Sequence, residues 1–278
     1  MIFNIPITID DPEEIDWAYF WEKKLEAKED RKKDWDKAAP NFGKSAIRDN
    51  YDKELISKLI LDSEDTLLDL GCGEGSISLQ LYDKVKSITA IDSSCKMIEL
   101  YDKKIKKEEI KNIKTIQADI TDINIDNVGP HDIILASRSL NGILNIQETI
   151  ANMNEIANKY VFITVFGPNN WKIEKDFYES IDKEYSEFPS HRYLFNILVD
   201  MGIYPNIENL DIGKHREYKD INEILEKGKW RLFSLDDDEK EKLKNYIAET
   251  YTINPNTGQL YNKYDKADWV LFWWKVEE

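Results

Sequence analysis

The sequence predicts an α/β fold in which helices cover both faces of a largely parallel, seven-stranded sheet. Between Thr66 and Phe166, short runs rich in β-branched residues alternate with segments of helical periodicity, which is typical of parallel sheets. The first of these runs ends in closely spaced glycines. A chain of 278 residues is long enough for one elaborated domain or for a domain with a cap, and we expect the second.

Two helices are predicted before the first strand. The run 10–14 combines acidic residues with Pro12, which is typical of a helix start. Aromatic residues then recur at helical spacing from Trp17 to Leu25, and this stripe is either core packing or the inner face of a lid over a ligand. A second amphipathic helix is predicted over 47–60, where it should pack on the sheet.

The segment 67–76 joins the first predicted strand to a following helix through a glycine-rich turn. Gly71, Gly73 and Gly75 form the pattern G-x-G-x-G, which differs from the G-x-G-x-x-G of a dinucleotide-binding turn. Glycine is needed where the backbone takes a positive φ or where a ligand approaches without a Cβ in the way. Asp69, just before the turn, can fix the loop or receive a cationic group. We therefore expect this turn to hold a nucleotide-like ligand.

The turn resembles the first motif of class I S-adenosylmethionine-dependent methyltransferases, in which an acidic residue precedes G-x-G-x-G. The resemblance extends in order through three further strand-like runs, at 88–92, 113–120 and 131–139. It covers residues from about 65 to 166 and implies a Rossmann-like fold, S-adenosyl-L-methionine as the cofactor and methyltransferase activity. It also implies that the last strand of the sheet runs antiparallel.

The resemblance implies roles for residues at the strand ends. Asp92 would bind the two ribose hydroxyls, Asp119 would accept a hydrogen bond from the adenine amine, and Ile120 would pack on the ring. Tyr51 on the second helix is a candidate for the methionine carboxylate, with simple packing as the alternative. The residues expected at the cofactor are Asp69, Gly71, Cys72, Gly73, Asp92, Ser93, Asp119, Ile120, Ser137 and Tyr51.

The catalytic residues are expected after the fourth strand. Methyl transfer from a sulfonium is an in-line displacement, so alignment of the acceptor is the main demand. Ser137 could hold the acceptor or the amino end of the cofactor, or it could be a turn hydroxyl bonded to backbone. Arg138 could clamp an anionic acceptor or a carboxylate, or it could pair with a residue of the cap. Ser139 and Asn141 follow them with similar access.

Other candidates are weaker. Asp122 and Asp126 lie close to Asp119 in the sequence and could take its role. His191 is a candidate general base without a partner by spacing, whereas His131 is expected to be structural.

No metal site is predicted, because the three histidines lack metal-ligand spacing. His215 lies in a charged segment and is expected to be exposed. Cys72 and Cys95 are expected to be reduced and structural.

The remaining strands are expected at 161–166, 207–212 and 269–276, with a helix at 193–201 before Gly202. Two segments, 167–190 and 213–266, are longer than the connections that this core requires. Both follow the carboxyl ends of strands, where ligands bind in open α/β sheets. With the N-terminal helices they would form a helical cap over the cofactor. The domain prediction is an N-terminal lid and entry helix at 1–62, a cofactor-binding core at 63–212 with an insertion at 167–190, a helical cap at 213–266 and a final core strand at 267–278.

Composition narrows the choice of partners. The net charge of −16 and the pI near 4.8 argue against nucleic acid, since nonspecific affinity for phosphates comes from Lys and Arg. The segment that follows the fourth strand also lacks the Asn-Pro-Pro-aromatic motif of enzymes that methylate amino groups of bases. No apolar run approaches the ~18 residues of a membrane span, and the N-terminus has no signal-peptide pattern. A cytoplasmic protein is therefore predicted, and its oligomeric state stays open.

Together these features predict a methyltransferase that acts on a small molecule. A cap rich in Trp, Tyr and Phe suits an acceptor that is enclosed away from water. One alternative is a protein or peptide methyltransferase, which would need an open groove. Another is a noncatalytic module that keeps S-adenosylmethionine as a structural or regulatory ligand.

Overall fold

The computed structural model describes residues 14–28, 34–37, 39, 50–213, 215–228, 230 and 234–276. Its main element is a seven-stranded sheet in the order β3-β2-β1-β4-β5-β10-β6. All its strands run parallel except β10, which is antiparallel to both neighbours, so the predicted fold class is confirmed. The strands are β1 (Thr66–Leu70), β2 (Ser87–Asp92), β3 (Ile113–Gln117), β4 (His131–Ser137), β5 (Ala157–Phe166), β6 (Asn206–Leu210) and β10 (Trp269–Lys275).

Helices cover both faces of this sheet. Side chains alternate along β1, so that Leu67 packs in the hydrophobic cluster of one face and Leu68 in that of the other. The helices are α1 (Trp17–Glu26), α2 (Tyr51–Lys58), α3 (Cys95–Lys107), α4 (Ile125–Val128), α5 (Ile146–Ile156), α6 (Lys172–Ser180), α7 (His191–Asp200), α8 (Ile221–Lys227) and α9 (Asp237–Thr250). Residues of α1, α5 and α7 belong to one cluster, and residues of α2 and α3 to the other.

Helix α1 belongs to the core rather than standing over it. Its cap is Asp16, whose carboxylate accepts the N–H of Tyr19 at 2.8 Å, whereas the start signals at 10–13 lie outside the described residues. Trp21 and Leu25 are fully buried, and the indole N–H of Trp21 donates to the Ile143 carbonyl at 2.7 Å. The buried part of the predicted aromatic stripe is therefore core packing.

The segment after the glycine turn differs from the prediction. Instead of an α-helix it forms a single 3₁₀ turn, Ser78–Gln80. A Cβ on Gly75 would lie only 2.3 Å from Cε2 of the Tyr101 ring. The Tyr101 hydroxyl donates a hydrogen bond to Ser78 Oγ at 2.6 Å. Because α3 packs this closely on the turn, position 75 has no room for a side chain.

Two segments form a unit with its own hydrophobic cluster. Trp171 and Phe177 of the 167–190 segment pack with Ile224 and Leu243 of the 213–266 segment. This unit also contains a small sheet in the order β7-β9-β8, formed by β7 (Glu217–Tyr218), β8 (Thr252–Ile253) and β9 (Leu260–Tyr261). These two-residue strands were not predicted.

Buried polar groups hold the same unit together. The Asp265 carboxylate accepts from the hydroxyls of Tyr218 at 2.9 Å and Tyr251 at 2.6 Å, and from Arg216 at 3.1 Å. Charge-assisted hydrogen bonds of this kind are stronger than neutral ones, so Asp265 joins β7 to the end of α9.

Across the described ranges, every helix is too short or too polar to cross a membrane.

Candidate active site

Several of the predicted site residues lie at the carboxyl edge of the parallel strands. The glycine turn follows β1, Asp92 ends β2 and Ser137 ends β4. These strands are neighbours in the sheet, in the order β2-β1-β4. In open α/β sheets this edge is the one at which ligands bind.

The glycine turn uses the freedom of its glycines. Gly71, Gly73 and Gly75 have φ values of 75°, 55° and 82°, which lie in the left-handed region. The N–H groups of Gly71 and Cys72 donate to the Ile91 carbonyl at 2.8 and 2.9 Å, so the turn is fixed to the end of β2.

The first two glycines have different surroundings. A Cβ on Gly71 would lie 2.3 Å from Ser139 Cβ, whereas a Cβ on Gly73 would meet no described atom within 4 Å. Gly71 is thus required for the packing of the segment after β4, while Gly73 faces open space.

Asp92 connects β2 to the glycine turn. Its Oδ2 accepts the N–H of Gly73 at 2.8 Å, and its Oδ1 accepts the N–H of Ser94 at 2.9 Å. Burial raises the pKa of the Asp92 carboxyl. A carboxylate offers about four acceptor positions, so these bonds leave capacity for further donors such as hydroxyl groups. Ser93, next to it, is exposed.

Asp69 lies beneath the turn and is only 2% exposed. Burial raises the pKa of its carboxyl to about 7, and the negative charge of Asp92 adds to this rise, while a hydrogen bond with Ser78 opposes it. Cys72 is also buried, with its Sγ 3.6 Å from the Gly73 carbonyl, and burial raises the pKa of its thiol. The Cys72 thiol is therefore protonated at neutral pH. Cys95, the other cysteine, is exposed.

The segment after β3 brings only one of its two predicted residues against the turn. Ile120 is 9% exposed, and its Cδ1 lies 3.3 Å from where a Cβ on Gly71 would be. Asp119 is exposed, and its Oδ1 accepts from Thr121 N at 3.0 Å and Thr121 Oγ1 at 2.8 Å. Asp119 thus caps its own turn in this structure.

Three hydroxyl groups from distant parts of the chain meet at the end of β4. The Tyr51 hydroxyl is hydrogen bonded to Ser137 Oγ at 2.8 Å and to Thr164 Oγ1 at 2.6 Å. Tyr51 is fully buried, and burial raises its pKa. Ser137 is thus bonded to a side chain rather than to backbone.

Thr164 was not singled out from the sequence. The signal was its hydroxyl within the otherwise apolar run 161–166.

The side chain of Arg138 lies against residues of α2. Its backbone has a φ of 60°, and its N–H donates to Thr164 Oγ1 at 2.9 Å. The guanidinium carbon lies 4.1 Å from the centre of the Tyr51 ring, and one guanidinium nitrogen lies 3.9 Å from Asp52 Oδ1. Arg138 therefore pairs with a residue of α2, and its side chain stays about one-third exposed, at 32%.

Buried polar atoms without a partner also mark this edge. Within the described ranges they are Ser139 Oγ and Asn141 Nδ2, which follow the carboxyl end of β4, and His191 Nδ1, at the start of α7. A buried donor or acceptor without a partner costs about 1–3 kcal/mol, so each such atom calls for an explanation, such as backbone strain, a catalytic role or a bound water or ion.

The three histidines lie in different surroundings. Burial lowers the pKa of His191 and nearby Arg192 lowers it further, while Asp268 opposes this, so the imidazole is neutral at pH 7. His131, at the amino end of β4, is bonded to the Gly129 carbonyl and to Thr89 Oγ1, in agreement with a structural role. His215 is exposed, and no metal-binding group of His, Cys, Asp or Glu occurs in the described part of the chain.

This edge fits S-adenosylmethionine. Gly73 leaves open space, the half-buried Asp92 has acceptor capacity for hydroxyls, and unpartnered polar atoms lie beside the end of β4.

Comparison with known proteins agrees with this fit. The family model described as "Methyltransferase domain" matches residues 61–229. An uncharacterized protein of Haemophilus influenzae is 25% identical over 249 residues, which cover 87% of this chain and 89% of that protein. A Methanococcus maripaludis protein named "Probable cobalt-precorrin-6B C(15)-methyltransferase (decarboxylating)" is 30% identical over 125 residues, which cover 45% of this chain and 66% of that protein.

A solved structure shows the same fold. It is the phosphoethanolamine N-methyltransferase 2 of Haemonchus contortus in complex with phosphomonomethylethanolamine and S-adenosylhomocysteine. It superposes with a TM-score of 0.54 at 13% identity, covering 96% of this chain and 61% of that one. The chain therefore belongs to the methyltransferase domain family, within the class I methyltransferase superfamily, and is an enzyme that uses S-adenosyl-L-methionine.

Proposed function

We propose that the protein transfers the methyl group of S-adenosylmethionine to a small-molecule acceptor, held between the sheet edge and the 167–190 segment. The observation that carries this proposal is an aromatic wall formed by Phe166, Trp171, Phe188 and Trp269, in which the two Trp rings are buried and the two Phe rings are partly exposed. The ring of Phe166 lies 4.4 Å from Trp171, 4.5 Å from Trp269 and 5.6 Å from Phe188, measured between ring centres. Mostly apolar walls with few polar groups are typical of small-molecule sites.

The cofactor would lie across the ends of β1, β2 and β3. Asp92 would accept the ribose hydroxyls, since only part of its acceptor capacity is used. Ile120 would pack on the adenine, and Asp119 would receive the amine through its second oxygen. Asp69 would lie on the side of the positive charges of the cofactor, where its ionised form is favoured. Gly71, Cys72, Gly73 and Ser93 would contribute mainly backbone to this site.

Bound S-adenosylmethionine supplies a methyl group on a positively charged sulfur, which any aligned nucleophile can attack. The residues of this chain would orient the acceptor and exclude water. Tyr51 holds Ser137 in place through its hydroxyl, so Ser137 would present a fixed oxygen to the acceptor or to the amino end of the cofactor. Neutral His191 could accept the proton that the acceptor loses.

Arg138 would serve an acceptor with a negative group. Its guanidinium is 32% exposed, and its ion pair with Asp52 is long, at 3.9 Å. Exposed pairs of this kind contribute about 0–1 kcal/mol, so an anionic ligand could replace Asp52. The guanidinium would then keep its position over the Tyr51 ring, 4.1 Å from its centre.

We also propose that the added segments 167–190 and 213–266 act as one cap over a core formed by 63–212 and 267–278. The hydrophobic cluster that these two segments share supports this division. Within 1–62, the predicted lid and entry helix, α1 packs in the core and so lies outside this cap.

A peptide acceptor is the second candidate. A groove of about 720 Å³ runs beside α7, with Trp17, Lys24 and His191 in its lining. An open groove of this kind is what a peptide substrate would need.

The test is methyl transfer from labelled S-adenosylmethionine to an extract of the cells that produce the protein, divided by size into small molecules and macromolecules. The proposal predicts label in the small-molecule fraction. Label that enters only macromolecules and is released by protease would establish the peptide alternative, and release by ribonuclease would establish an RNA acceptor. Heat-denatured enzyme provides the background.

A further inference from the structure

Asn141 is held in one orientation inside the protein. It is 6% exposed, and its Oδ1 accepts the backbone N–H of Phe166 at 3.2 Å. Because that N–H can only donate, the oxygen of the amide must face Phe166 and the nitrogen must face the other way. The nitrogen, Nδ2, is buried and has no partner among the described residues. Asn141 thus presents an unused donor in a fixed direction.

The location of this donor points to the acceptor rather than to the cofactor. Asn141 follows β4 and is bonded to the last residue of β5, on the side of the sheet edge away from Asp92 and β2. The residue it contacts, Phe166, belongs to the aromatic wall. A polar donor beside an apolar wall is the usual means by which small-molecule sites fix orientation.

A positive charge lies beside the same wall. The Lys28 ammonium is 4.2 Å from the centre of the Phe188 ring and donates to the Ser186 carbonyl at 2.9 Å. Lys28 is only 5% exposed, so its field is weakly screened by water. Lys28 is thus held against the Phe188 ring and the Ser186 carbonyl at one end of the wall.

We propose that Asn141 determines acceptor specificity, by donating from Nδ2 to a carbonyl or carboxylate oxygen of a planar, apolar molecule that lies against the aromatic wall. This inference rests on the proposed function, since it needs a small acceptor at this edge. A site that hydrogen bonds its ligand through a buried group rejects analogues without the matching atom, because the buried group is then left without a partner.

The informative variant is Asn141→Asp. It keeps an oxygen for the Phe166 N–H and has nearly the same shape, but it replaces the donor with a negatively charged acceptor. Asn145→Asp is the matched control, because Asn145 lies in the same segment, is exposed, and has its Nδ2 3.1 Å from Glu148 Oε2. Asn141→Ser, which retains a donor in a smaller side chain, is the second variant should Asn141→Asp fail to fold.

Each variant is measured in two ways: S-adenosylhomocysteine affinity by calorimetry, and methyl transfer at limiting concentrations of the small-molecule fraction. For Asn141→Asp we expect transfer to fall roughly 10- to 100-fold, while cofactor affinity changes less than about 3-fold. Asn141→Ser should show an intermediate loss, and Asn145→Asp should match the wild type.

The outcomes separate this inference from the proposed function. Wild-type label confined to macromolecules overturns the proposed function and this inference with it. If the wild type methylates small molecules and Asn141→Asp or Asn141→Ser does so at the same rate, the role of Asn141 alone is overturned. A fall in S-adenosylhomocysteine affinity that matches the fall in transfer would assign Asn141 to the cofactor instead.

Discussion

The carboxylate of Asp92 is hydrogen bonded to the backbone N–H of Gly73, with Oδ2 2.8 Å from the nitrogen. This bond ties the last residue of β2 to the glycine that faces open space. Asp92 and the part of the turn that faces open space therefore form a single unit, and a ligand bound by one would contact the other.

The first prediction concerns Asp92. We expect Asp92→Ala to weaken S-adenosylmethionine binding by roughly 1.5 to 3 kcal/mol, because hydrogen bonds to a charged group are lost. Calorimetry measures this, with Asp102→Ala as the control, since Asp102 is an exposed acid on α3 bonded to Thr115 Oγ1 at 2.6 Å. Normal folding of Asp92→Ala with unchanged affinity would show that Asp92 does not bind the ribose.

The second prediction compares two glycines. Gly73 and Gly129 have φ values of 55° and 72°, and a Cβ on either would meet no described atom within 4 Å. The left-handed backbone should cost Gly73→Ala about 1–2 kcal/mol of unfolding free energy. Gly129→Ala should cost more, because Gly129 combines its positive φ with a ψ of 175°, a region that essentially only glycine adopts. Only Gly73→Ala should also weaken S-adenosylhomocysteine binding, because Gly129 lies at the amino end of β4, and Gly73→Val should be more severe. Equal affinities in the two alanine variants would place the ligand elsewhere.

The hydrophobic pattern of the sequence was enough to locate most strands of the sheet, since strands buried on both faces are continuous apolar runs. Departures occur where the residues are polar. Strand β5 begins at Ala157 rather than at 161, and its first residues include the polar Lys159, which pairs with Asp65 and Asp132. The two-residue strands of the cap depend on long-range contacts such as those of Asp265, which no local pattern shows.

The third prediction is a pH dependence due to Asp69, whose pKa is raised by burial to about 7. In the unfolded state an Asp carboxyl has a pKa of about 3.9, so the folded state holds this proton more tightly. The contribution of Asp69 to the free energy of unfolding therefore falls as pH rises from about 4 to 7 and is constant above pH 7. Asp69→Asn removes the ionisation. Urea unfolding should therefore show the variant gaining stability relative to the wild type across this range, and a constant difference between pH 4 and 7 would refute the assignment.

The fourth prediction concerns Arg138. If it holds an anionic acceptor, Arg138→Ala should lower kcat/KM by roughly 10- to 100-fold with little change in cofactor affinity, and Arg138→Lys should recover only part. The ion pair with Asp52 provides the control. Asp52→Ala should leave kcat/KM close to the wild type, since it frees the guanidinium. Equal losses in Asp52→Ala and Arg138→Ala would mean that the arginine only fixes α2.

The site was less accessible to sequence reasoning than the fold. The glycine turn and Asp92 could be located because their spacing is local. The bonds of Tyr51 to Ser137 and Thr164 could not, since they join residues 86 and 113 positions apart. Likewise, the unused donor of Asn141 is defined only by its bond to Phe166, which requires the register of β4 and β5.

The most direct test of the account is a crystal structure of the protein with S-adenosylhomocysteine. We predict that the ribose hydroxyls lie about 2.6–3.2 Å from the Asp92 carboxylate oxygens. The sulfur should face the space between Ser137, Asn141 and the aromatic wall. A ribose away from Asp92, or a sulfur turned away from that wall toward the groove beside α7, would contradict the proposed site and its enclosed small acceptor.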